Sequence, residues 1–178
     1  VFSTGIVSAG TALSQARREV EAACSSGTIG YFGYGYTNAV VTTLDKYTFA
    51  SNVVAAGTAL ITARYAAAAC SSPVIGIFGG GTTGSNLATT CKYTFVSDAV
   101  IAVTSLGLAR QVLAACSSST IGIFGGGSAG SDTAYTDKYT FDTGNVVAGT
   151  VLGNARSSLG ACSSGIKGIF RDFCWLSF

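Results

Sequence analysis

Histidine and methionine are absent from this 178-residue chain, proline occurs once, and only 10% of its residues are charged. Without an imidazole there is no Ser-His-Asp triad, no Cys-His pair and no histidine ligand for zinc or copper. Much of ordinary enzyme chemistry goes with it. Ten Lys plus Arg against eight Asp plus Glu leave a net charge of +2, too little to neutralise a phosphate backbone over an extended face. A nucleic-acid partner is therefore not expected. No apolar run approaches the roughly 20 residues that cross a bilayer, because glycine and small polar residues interrupt each one, so membrane insertion is not expected either. About a quarter of an ordinary domain is charged. Here Ser, Thr, Gly, Ala and Tyr must cover the surface, which makes it neutral and prone to assembly. A hydrophobic content of 48% argues against wholesale disorder, and the length suffices for one domain, or one repeat array, with its own core.

What the chain does have is a period. Cys24, Cys70, Cys116 and Cys162 are each 46 residues apart, each followed by Ser-Ser. An Ala-Arg pair precedes each, ending at Arg17, Arg64, Arg110 and Arg156. Downstream, Ile-Gly-Tyr/Ile-Phe-Gly starts at Ile29, Ile75 and Ile121, with a broken copy at Lys167. Lys-Tyr-Thr-Phe then starts at Lys46, Lys92 and Lys138. Residues 1–18 read as part of this pattern rather than as a signal peptide, since the pattern recurs downstream.

Each copy divides into four segments of strand length, separated by Ser, Gly, Asn and Asp. In the second copy they are a, 64–70; b, 74–79; c, 92–95; and d, 100–108. Four strands in about 46 residues is the signature of a propeller blade. The expected fold is all-β: a four-bladed β-propeller in one domain, residues 1–178, with blades near 17–62, 64–108, 110–154, and 156–178 plus 1–15. Ala-rich strings such as 65–69 have high helix propensity, but they are too short and too close to Gly-rich turns to hold a helix. Small residues in strand a suit a crowded axis.

A basic residue opening a strand, a hydrophobic strand ending in a glycine doublet or triplet, and a following tyrosine resemble the kelch repeat over essentially the whole chain. Val, Leu and Thr stand where that family carries its outer tryptophan. The Lys-Tyr-Thr-Phe and Gly-Thr-x-Leu variant is similar to kelch-like arrays of bacterial and phage proteins.

The ends suggest how the array is completed. The chain opens on what aligns as a strand d and stops on what aligns as a strand c, so residues 6–13 are expected to supply the outer strand of blade four. That strand belongs either to the same molecule, closing a ring, or to a neighbour, propagating a fibre.

Several side-chain sets are candidates for function. The inner-strand cysteines Cys24, Cys70, Cys116 and Cys162 would ring one mouth of the channel. Four thiolates are a known zinc set, but ligands on separate blades lack the usual close pairing; small buried hydrophobes or disulfides between blades are the other readings. No metal or cofactor is expected. Cys91 and Cys174 break the symmetry where Asp45 and Asp137 stand elsewhere; they would lie across the ring, so a bond between molecules is the pairing open to them, with inert thiols as the alternative. Arg17, Arg64, Arg110 and Arg156 would gather at the other channel mouth, holding an anion or bonding carbonyls between blades. Tyr31, Tyr34 and Tyr36, with Phe32, offer adaptable contact surface for a glycan or protein, or else form blade core. The Gly-Gly-Gly runs lack the Gly-Lys-Ser/Thr of a phosphate loop.

These features point to a non-enzymatic structural or adhesive building block of an extracellular surface, cell surface, filament or virion, partnered by itself or by other structural subunits. A carbohydrate- or protein-binding module is the alternative.

Overall fold

The computed structural model describes residues 9–172. Its regular structure is entirely β, in antiparallel sheets that follow the repeats, and no helix occurs among the described residues. Unit one consists of β1 (Ala22–Ser25), β2 (Ile29–Gly33), β3 (Leu44–Thr48) and β4 (Val53–Ala56). Unit two consists of β5 (Ala68–Ser71), β6 (Ile75–Gly79), β7 (Thr90–Thr94) and β8 (Ala99–Val103). Unit three has β9 (Ala114–Ser117), β10 (Ile121–Gly125), β11 (Thr136–Thr140) and β12 (Val146–Ala148), and unit four has β13 (Leu159–Ser163) and β14 (Gly168–Asp172). In each four-stranded unit, neighbours in sequence are neighbours in the sheet. This up-and-down order is compatible with a β-propeller-like fold, but the described residues do not form a closed ring: β1 packs on β5, β5 on β9 and β9 on β13, whereas β13 and β1 do not pack together in this way.

The inner strands are shorter than the expected segment 64–70. Glu19, Ala66, Val112 and Ser158 adopt φ of 56°, 51°, 48° and 53°, a left-handed kink that interrupts an extended chain. The kink lets Val112 N donate to Ala66 O at 2.9 Å and Ser158 N to Val112 O at 3.0 Å, stitching one unit to the next. Strand d is shorter too. β8 ends at Val103, and Leu106 N turns back to donate to Ala88 O. Of residues 6–13, expected to complete the last blade, residues 9–13 form no strand; residues 6–8 and the expected partner strand at 174–178 lie outside the described residues.

Strand alternation gives every unit two unlike faces. Cys24 lies opposite Tyr31, Cys70 opposite Ile77, Cys116 opposite Ile123 and Cys162 opposite Ile169, which puts each pair on one face. The other face carries glycine opposite tyrosine: Gly30 with Tyr47, Gly76 with Tyr93, Gly122 with Tyr139. The cysteine face of one unit packs on the glycine face of the next. The buried cores lie in these seams, one built on Tyr31, Tyr93 and Phe78 and another on Ile77, Phe124 and Tyr139.

Candidate functional site

The seam repeats one piece of chemistry. A Cβ built on Gly76 would stand 2.8 Å from Cys24 Sγ, one on Gly168 would stand 2.5 Å from Cys116 Sγ, and Gly122 faces Cys70 Sγ still more tightly. Only glycine lets the thiol come so close to the neighbouring strand. Cys24, Cys70 and Cys116 thus point sideways into the next unit, not inward at the axis. None of the five described cysteines is in a disulfide. Burial pushes the thiols of Cys24, Cys70 and Cys116 above the ordinary value, so they sit in the seam as small neutral groups rather than as thiolates.

Beside each cysteine a serine makes the polar link. Ser71 Oγ donates to Ser25 O at 2.9 Å, Ser117 Oγ to Ser71 O at 2.8 Å, and Ser163 Oγ to Ser117 O at 2.6 Å. In return, Ser25 N and Ser71 N donate to the oxygens of Ser71 and Ser117 at 3.4 and 3.3 Å. This ladder ties the inner strands where inter-sheet backbone pairing is missing. Near it the four Ser-containing turns line a cavity of about 350 Å³. Along the axis a second cavity of about 420 Å³ is lined by small residues of all four inner strands. Glu21 is the one ionisable group among the residues lining it, and burial, with the nearby Glu19 charge, holds its carboxyl above the usual range.

The arginines are placed inside the sheets. Arg110 is buried and fully committed: Nε donates to Gly126 O, Nη2 to Phe124 O, and Nη1 to Leu108 O and to Asp137 Oδ2, the last at 2.7 Å. Arg17 Nη1 lies 2.7 Å from Asp45 Oδ2, out of hydrogen-bonding alignment, while Nη2 donates to Phe32 O. Arg64 donates to Thr62 O, Gly80 O and both oxygens of Thr89. Arg156 Nε donates to Asn154 O. The arginine side chains thus serve carbonyls largely of their own unit; it is their main-chain carbonyls that bridge units, accepting from Gly35, Gly81 and Gly127 at 3.1, 2.9 and 2.8 Å. Neither Arg64 nor Arg110 has a free donor edge for an anion at a channel mouth.

Two further expectations change. Cys91 is buried, with its thiol pushed up by that burial, so it cannot reach another molecule for a disulfide; Cys174 lies outside the described residues. Tyr31 and Tyr34 are buried as well, because Tyr31 stacks on Phe95 with ring centroids 4.4 Å apart and Tyr34 packs edge-on against Phe78. Half-buried Tyr36 rests against Tyr65 under the Arg18 guanidinium. Tyr31 and Tyr34 thus form seam core rather than a binding surface, and Tyr36 stays partly exposed.

Tyr34 and Cys91 belong together. Tyr34 has φ of 64°, the conformation that Gly80 and Gly126 supply in the other units, and its Oη donates to Ile61 O and lies 3.3 Å from Cys91 Sγ. Its ring lies 5.1 Å from the Arg64 guanidinium carbon. Where the aspartate partner of the arginine is replaced by cysteine, the tyrosine of the preceding unit covers the arginine instead. The role of Asp45 and Asp137 was missed in the sequence, although their alternation with Cys91 was visible there.

Compared with known proteins, the chain matches no family model, and none of the curated protein sequences matches it.

Proposed function

We propose that this chain is a non-enzymatic structural or adhesive building block of an extracellular surface, filament or phage particle, its four repeats forming blades of a kelch-like β-propeller. The observation that carries this reading is the character of the outer strands. β4 is Val-Val-Ala-Ala, β8 is Ala-Val-Ile-Ala-Val and β12 is Val-Val-Ala, with Val53, Ile101 and Val147 exposed and no charged residue in any of them. Edge strands of monomeric proteins are ordinarily guarded by lysine, proline or bulges, because a bare apolar edge pairs with other chains. Three unguarded edges on one low-charge molecule support self-association as the working state. Sedimentation at raised protein concentration should show assemblies, and the triple variant Val53→Lys, Ile101→Lys, Val147→Lys should shift them to smaller species. A wild-type chain that stays strictly monomeric refutes the reading.

A second reading, a carbohydrate- or protein-binding module, is supported by the uncharged, hydroxyl-rich cavity of about 350 Å³ at the serine turns. It takes precedence if the native chain is monomeric and retains a glycan in pull-down.

A further inference from the structure

Unit one differs from units two and three by one residue on its inner strand. From the Tyr65–Thr82 bridge to the Ala68–Gly79 pair both strands advance three residues, and the same holds from Gln111–Ser128 to Ala114–Gly125. In unit one, Gly33 to Tyr36 is again three residues, but Arg18 to Ala22 is four. The inner strand thus carries a bulge. Val20 packs on Gly35 as Ala67 packs on Gly81 and Leu113 on Gly127, and Glu19 takes the left-handed conformation of Ala66 and Val112. Glu21 is therefore the inserted residue, and Ala23 N donates to its carbonyl at 3.1 Å to close the bulge.

The insertion places a carboxylate where the other units have none. Glu21 lines the axial cavity of about 420 Å³, whose other lining residues are Val, Ala, Leu, Gly and Ser. Ala68, Leu113, Ala114 and Leu159 are buried there, whereas Glu21 is open to solvent, so the cavity joins one accessible charge to an apolar interior. Elsewhere Glu19 pairs with Arg18, Asp45 with Arg17, Asp98 with Lys46 and Asp137 with Arg110. The Glu21 carboxylate has no such partner among the described residues. Burial and the like charge of Glu19 hold its carboxyl above the usual range, and a cation seated there would offset both effects. A metal ion would want several oxygen ligands, and no group of three acidic or thiol side chains able to hold one occurs among the described residues. An apolar cavity of a few hundred Å³ with one placed polar group is instead the usual form of a small-molecule site. We propose that the axial cavity binds a small organic ammonium ion, its nitrogen on the Glu21 carboxylate and its hydrocarbon body over the alanines and leucines of units two to four. The site lies on the axis and does not depend on association through the outer strands.

The test is isothermal titration of the full chain with n-hexylammonium, with n-hexanol and hexanoate as probes of the same body and different charge. The ammonium should saturate one site per chain and bind more tightly than either of the others. Glu21→Gln keeps the size and removes the charge; it should weaken hexylammonium at least about tenfold, the scale of a hydrogen bond to a charged group, and leave hexanol unchanged. Ala115→Leu fills the cavity without touching the carboxylate and should weaken hexylammonium as well, with Ala161→Leu as the filling variant if thermal melts show that Ala115→Leu does not fold. Absence of saturable binding to the wild-type chain overturns the proposal, as does hexylammonium binding that is no tighter than that of hexanol or that Glu21→Gln leaves intact. Loss on Glu21→Gln without loss on filling marks simple pairing at a surface carboxylate and overturns it too. None of these failures bears on self-association, which sedimentation reads separately.

Discussion

Gly122→Ala tests the seam at its tightest point. The new methyl would be forced into Cys70 Sγ, with Phe141 Cζ at 3.3 Å and Cys70 Cβ at 3.6 Å. The thiol cannot swing away, since Cys70 is a buried residue of a core that also holds Ile77, Leu106, Phe124 and Tyr139. Overpacking a core by one methyl costs about 1–3 kcal/mol. Cys70→Ala alone removes the sulfur and leaves a small void, costing about 1 kcal/mol by analogy with other single-group deletions. Together the two changes should nearly cancel, because the methyl at residue 122 then occupies the space of the sulfur and meets the residue-70 Cβ at an ordinary contact distance. The double variant should therefore be about 1–3 kcal/mol more stable than the sum of the single variants predicts, the coupling expected of residues in direct contact. Urea unfolding at constant m reads the difference as a shift in midpoint. Gly30→Ala is the control: its methyl would meet phenyl carbons at 3.2–3.4 Å, and the half-exposed Phe49 ring can move aside. Strict additivity of Gly122→Ala and Cys70→Ala, within about 0.5 kcal/mol, would refute the account of the seam as thiol seated on glycine.

Exchange of Tyr34 of unit one and Cys91 of unit two for their counterparts at the next seam, the glycine of Gly80 and the aspartate of Asp137, is the next expectation. Tyr34→Gly exposes the Arg64 face and Cys91→Asp places a carboxylate beside Tyr34, so each alone should destabilise by roughly 1–3 kcal/mol, as loss of a buried polar contact does; the double variant should recover most of the loss through an Arg64–Asp pair like Arg110–Asp137, and failure to recover in thermal melts would show that the two positions are independent. The thiols give a chemical readout. Peptide-resolved alkylation at neutral pH should modify Cys162 first and leave Cys70, Cys91 and Cys116 slow; fast labelling of Cys70 would contradict its burial. Because Cys24, Cys70 and Cys116 hold their protons more tightly folded than unfolded, their contribution to stability is complete below the ordinary thiol value near 9 and is lost as pH rises from there towards the folded values. Melts taken across that range should show the loss, and Cys70→Ala should reduce it.

The period and the four segments per repeat were legible because each is written three or four times, so chance similarity in one copy does not matter. The strand ends were less so. Nothing in the Ala-rich strings 65–69 and 112–115 marks the left-handed kink at Ala66 and Val112; it is imposed by hydrogen bonds to the adjacent unit, which are tertiary. Tyr34 misled for a related reason. A tyrosine among glycines reads as an exposed loop, and it takes the structure to show that it occupies a glycine conformation in order to reach Cys91 and Ile61. The arginine sites were half legible: the repeat marked Arg17, Arg64 and Arg110 as structural, but strand pairing alone brings residue 110 to residue 137.

The two-faced unit also accounts for the composition. A face that must receive a neighbouring sheet has no room for a hydrated charge, and every internal unit here has two such faces, so the buried seam positions are held by Cys, Gly, Ala, Leu, Ile, Tyr and Phe. Some of the charges that remain pair within a sheet, as Arg110 does with Asp137, and others bridge the rim of a seam, as Lys46 does with Asp98 at 2.5 Å. The low charge is thus dictated by the seams as much as by the solvent surface. The same rule applies to the end faces. Unit one and unit four are built from the vocabulary of the seams, Gly30, Tyr47 and Phe49 on one side and Cys162 and Ile169 on the other. An end that stays in water would have no need of that vocabulary; repeat arrays ordinarily cap their terminal units with polar residues. Apolar seam residues kept at both ends therefore favour a molecule whose ends are covered.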